Sequence, residues 1–213
     1  MTDRPINLKA HDVAAILAGR KSQHRVVLKD QATWERVGDA ILRRYPRQKS
    51  GVPYQPGDRL WCRETHRLTD CPCTEACRGP GHVWYEADRS GYRNVYLNRL
   101  RPSTNMPRWA SRITLLVSDV RVLRLQSLSE ADAIAEGILV GEPMPEVPDS
   151  EGDIYHDGVT DPIDGWTRDP VEAFANRWSA THGPHAWDRN PWCCVLTFRA
   201  ILANIDAPEA QAA

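Results

Sequence analysis

A chain of 213 residues with 41% hydrophobic and 26% charged side chains has the composition of one globular domain, with or without insertions. No apolar run approaches the ~20 residues that cross a bilayer, and the opening MTDRPINLK has no apolar signal core, so a spanning helix is excluded and a cytoplasmic protein is expected. The net charge of -1 conceals a division: residues 1–125 hold 23 Lys+Arg against 12 Asp+Glu, +11, and residues 126–213 hold 4 against 16, -12. A basic front two-thirds suits a phosphate-bearing partner such as RNA, unless the acidic remainder folds over it. Eight Trp against two Phe supply large flat faces for a core, with one or two left over for a pocket.

In chain order, Ile6-Asn7-Leu8 reads as a first short strand. Val13, Ile16 and Leu17 fall at i, i+3 and i+4, the stripe of a short helix that stops at Gly19. Arg20, Lys21, Ser22, Gln23, His24 and Arg25 follow at once, and then the strand pair Val26-Val27. Cations and hydrogen-bonding side chains are thereby held on a tight turn between two packed elements. Trp34, Val37, Ile41 and Leu42 give a second helical pattern over Thr33–Tyr45, closed by Pro46.

Strands are expected over Arg59–Thr65, Val83–Ala87, Arg112–Leu125 (with a one-residue phase shift that marks a bulge) and Trp192–Leu202. Ser129 with Asp132 three residues on opens a helix that stops at Gly137. Asp169-Pro170 opens another, with Val171, Phe174 and Trp178 on its buried face. The acid-, proline- and glycine-rich stretch 139–168 reads as a flexible insertion or lid, and 203–213 as a disordered tail.

The run ILAGRKSQHR at Ile16–Arg25 resembles the "IL.GRKT.T.R" signature of the ASCH family, a branch of the PUA-like fold. GDRLWCRET at Gly57–Thr65, MPRWASRITLLV at Met106–Val117 and NPWCCVLTFRAI at Asn190–Ile201 resemble, in order and spacing, further segments of its phage and prophage-type members. The resemblance implies an α+β domain over residues 1–202. Its expected core is a PUA-like mixed β-barrel with flanking helices, a Cys-rich loop insertion at 66–82 and the acidic one at 139–168. It also implies a ligand, RNA or a modified pyrimidine nucleoside, in a pocket around Lys21 and Glu136.

In bacterial members that hydrolyse N(4)-acetylcytidine, a Lys, a Thr and a Glu do the work. The Lys matches Lys21, the Glu matches Glu136 in LSEADAIAEG, and the Thr position falls on His24. Amide cleavage by a hydroxyl needs an adjacent base, and a desolvated Lys can be one. With His24 in place, either His24 acts on a water while Lys21 holds the oxyanion, or Ser22 supplies the hydroxyl. Arg20 and Arg25 are candidate phosphate-positioning cations or plain salt-bridge formers. Arg63 and Glu64 are consecutive on a strand, so only one faces the interior, and an inward Glu64 would be a second pocket carboxylate.

Cys71, Cys73, Cys77 and His82 make C-x-C-x3-C-x4-H, thiolate and imidazole ligands at a spacing that suits a structural zinc ion, with free thiols as the other reading. Three functions therefore stand side by side: nucleoside or RNA binding, an amidohydrolase acting on N(4)-acylated cytosine, and a phage-type accessory module that binds another protein.

Overall fold

A computed structural model of the chain describes residues 2–29, 31, 34–37, 40–43, 51–68, 83–88, 99–141, 153–159 and 166–211, those of 34–37 and 40–43 as backbone. The fold is mixed α+β, with several sheets and few helices, and no closed barrel forms among the described residues. Strand β1 (Asp3–Asn7) precedes helix α1 (Ala10–Leu17), which ends where Gly19 takes φ 70°, a left-handed turn a side chain resists. Strand β2 (Gln23–Val27) follows.

The helix expected over Thr33–Tyr45 is instead a hairpin, β3 (Trp34–Val37) against β4 (Ala40–Arg43), with Val37 opposite Ala40 and Trp34 opposite Arg43. The apolar spacing matched a helix, but the sequence Gly38-Asp39 between two β-favouring runs is a two-residue hairpin signal, and it outweighs so short a period. Next come β5 (Arg59–Arg63), β6 (His66–Leu68), β7 (Val83–Tyr85) and β8 (Thr114–Arg124).

Helix α2 (Glu130–Ala135) opens on the expected capping box: the Ser129 hydroxyl accepts from the Asp132 amide at 3.2 Å, and Asp132 accepts back from the Ser129 amide. The described parts of 139–168, expected to be flexible, form a three-stranded antiparallel sheet of β9 (Leu139–Gly141), β10 (Ile154–His156) and β11 (Trp166–Thr167). Its apolar content is low, and His156 is buried in it with its ring 5.0 Å from that of Trp166. Helix α3 (Pro170–His182) begins on Asp169, whose carboxylate caps the Val171 amide. After β12 (Trp192–Ile201), Ile205 and Ala210 are buried, and Pro208–Gln211 is a short helix, α4.

Two compact units divide the chain. The first comprises 1–19, 56–118 and 198–213, and the second 20–55 and 119–197. In the first, β1 runs parallel to β5 with Ile6 beside Cys62, and β5 pairs antiparallel with the start of β8, Leu60 beside Leu115. Inward side chains recur at every second residue of Leu60, Cys62, Glu64 and His66, the period of a sheet with one face packed. The tail is fastened by the Arg108–Asp206 ion pair at 2.7 Å and by Arg59, which pairs with Asp3 and donates from Nη1 to the Ala210 carbonyl.

In the second unit, β2 pairs antiparallel with β12 from Gln23–Thr197 to Val27–Cys193. Beside it lies a core of Leu125, Leu128, Ala133, Ile138, Ala173, Phe174, Trp178 and Cys193. The apolar stripe of α3 is buried at Pro170, Ala173, Phe174, Arg177 and Trp178, so one position of that stripe carries a guanidinium.

Candidate functional site

The site is built in the second unit, where the turn after Gly19 meets the end of α2. A helix end leaves carbonyls without intrahelical partners and carries negative charge. Here donors of the basic turn take three of them in succession. The Ser22 amide donates to the Ala135 carbonyl at 2.9 Å, Lys21 Nζ to that of Glu136 at 2.9 Å, and Arg20 Nη1 to that of Gly137 at 3.1 Å. Gly137 makes the turn possible with φ 87°. An anion at the last turn of a helix, unfavourable in isolation, is thus compensated by cations from another element.

Lys21 and Glu136 meet directly. Nζ lies 2.6 Å from Oε2, with the two side chains 0% and 3% exposed. The other oxygen, Oε1, accepts from Arg25 Nη1 at 2.9 Å, and the Glu136 carbonyl also accepts from Arg177 Nη2 at 2.9 Å. Burial works to raise the Glu136 carboxyl, but Lys21, His24, Arg25 and Arg177 together hold it below its ordinary value, so it is an anion at neutral pH. Arg20 is pulled down by its own burial and by the charge of Arg177.

Strand parity chooses the members of this cluster. Lys21, Gln23 and Arg25 are buried, while Ser22 is exposed and His24 half-buried. Gln23 is a bridge: its Oε1 accepts from Arg25 Nη1 at 2.8 Å and its Nε2 donates to Asp132 Oδ1 at 3.0 Å. Asp132 also pairs with Arg25 and Arg121. Burial works to raise its carboxyl, but Gln23, the Ser129 amide and these two cations hold it low. Two guanidiniums lie over the Phe174 ring, with Arg25 Cζ 5.7 Å and Arg177 Cζ 5.2 Å from its centroid.

Of the residues singled out in the sequence, Lys21, Arg25 and Glu136 are in direct contact, Arg20 contributes through the Gly137 carbonyl, and Ser22 contributes through its backbone. His24 acts on the charge of Glu136. Arg63 and Glu64 belong to the first unit. Glu64 is the inward one, held by both Nε and Nη2 of Arg112 at 2.9 and 3.0 Å, while Arg63 lies over the Trp61 ring and donates to the Thr104 carbonyl. Cys71, Cys73, Cys77 and His82 lie outside the described residues. Among the described residues no cluster of three or more His, Cys, Asp or Glu is placed to hold a metal ion, and no helix is long and apolar enough to cross a membrane.

Gln23, Asp132 and Arg177 were not singled out as site residues in the sequence. Asp132 was legible only as a cap. The signal for Arg177 was a charge within the apolar stripe of α3, and for Gln23 its shared parity with Lys21 and Arg25.

Chemically, the cluster sets Lys21, Arg25, Arg177 and Arg20 against Glu136 and Asp132, an excess of positive charge around carbonyls and buried donors. The thiol coupled electrostatically to Arg25 and Glu136 is that of Cys193, which burial pushes up to about 12, so it stays protonated. No protein-family model matches the chain, and no curated protein or solved structure matches it either.

Proposed function

We propose that the second unit binds a nucleobase-bearing ligand, RNA or a modified pyrimidine nucleoside, at the Lys21–Glu136 cluster, within an ASCH-type domain of PUA-like descent. One observation carries this reading. Lys21 and Arg25 converge on the Glu136 carboxylate, and Arg20 and Arg177 on main-chain carbonyls at the same end of α2, a gathering of donors and positive charge that suits a ligand rich in acceptors. The resemblance of Ile16–Arg25 to the family signature supports the same reading. The test is a titration of the full chain with single-stranded RNA and with pyrimidine nucleosides at several salt concentrations. Binding that weakens with salt for RNA, and that Lys21→Met abolishes in a variant still folded, is the expected result. Absence of binding to every such ligand would overturn it.

A second reading, an amidohydrolase acting on N(4)-acylated cytosine, is favoured by the 2.6 Å contact of Lys21 Nζ with Glu136 Oε2, a distance across which a proton can move. Against it stand the exposed position of Ser22 and a Glu136 carboxyl held low, which makes it a weak general base. Turnover of an N(4)-acylcytidine that disappears in Lys21→Ala would replace the binding reading with this one. The structural zinc ion on Cys71, Cys73, Cys77 and His82 remains part of the proposal on ligand spacing alone, and metal analysis of the purified protein tests it.

A further inference from the structure

We draw no further inference here: the strongest candidate, the half-buried outward face of β5, β6 and β7 in the first unit, where Arg63 lies over the Trp61 ring and Arg67 over that of Trp84, is a surface patch for which nothing in the structure shows what covers it.

Discussion

Arg177 Nη2 donates to the main-chain carbonyl of Glu136 at 2.9 Å, from a position 41 residues later in the chain. The same carbonyl accepts from Lys21 Nζ, so α3 and the basic turn close on one oxygen from two directions. The Glu136 carboxylate accepts from both Lys21 Nζ and Arg25 Nη1, which makes it the electrostatic centre of the cluster.

Removing that centre should cost more than removing one of the cations around it. Glu136→Leu leaves Lys21 and Arg25 buried without their shared counter-charge, a change on the order of 3–5 kcal/mol. Arg177→Leu leaves the carbonyl with Lys21 and should cost about 1–3 kcal/mol. Urea midpoints of the two variants check the order, and an Arg177 variant less stable than the Glu136 one would show the hierarchy to be reversed.

Acid should unfold the chain partly through Glu136. Its carboxyl is held below the ordinary value of 4.5, against the pull of burial, by Lys21 and the neighbouring cations. A group depressed on folding contributes stability that is present above the unfolded value and lost as pH falls through the folded one. The wild-type chain should therefore lose stability on acidification below about pH 4.5, and Glu136→Gln should lack that component of the slope. Parallel pH curves for the two proteins would rule the mechanism out.

His66 gives an opposite case in the first unit. Its Nδ1 lies 3.1 Å from the Glu64 carbonyl, which fixes the proton on Nδ1 and leaves Nε2 a buried lone pair without a donor. Burial lowers its value from 6.5, with the Glu64 carbonyl opposing and Arg101 assisting, and Glu64 is already bound to Arg112. A histidine depressed on folding contributes stability that is present above the unfolded value and fades as pH falls below it. His66→Phe should flatten the stability curve below about pH 6.5, as followed by thermal melts. A curve as steep as that of the wild type would refute the assignment.

Gly141 in β9 has no room for a methyl group. A Cβ there would sit 2.5 Å from Cζ3 and 2.6 Å from Cη2 of Trp166, and 3.2 Å from Ile154. An indole ring cannot swing aside as a lysine tip would, so Gly141→Ala should destabilise by about 1–3 kcal/mol through displacement of β11. Trp166→Leu in the same chain should recover part of the loss, and a Gly141→Ala variant with an unchanged melting temperature would contradict the packing described.

Local chemistry was legible wherever one residue type decides a backbone state. The stops at Gly19 and Gly137, the Ser129–Asp132 capping box and the Asp169-Pro170 helix start all stand where the residues placed them. The hairpin at Trp34–Arg43 and the sheet of β9, β10 and β11 were not legible, because four apolar positions fit two periods and because strands this short and poor in apolar residues carry no period of their own. The contacts of the tail were not legible either, since they come from Arg59 and Arg108, distant in sequence within the same unit.

The sequence by itself determined that a cluster of cations follows a helix stop and that an acid ends a later helix, for these depend on neighbours along the chain. Only the tertiary structure decided that Lys21 and Glu136 touch, that Arg177 joins them, and that Arg25 takes the other carboxylate oxygen. Those are distances between segments more than a hundred residues apart, or 41 in the case of Arg177. Hydrogen bonding and burial act through space, and no property of a residue's sequence neighbours fixes which carbonyl or carboxylate it will meet there.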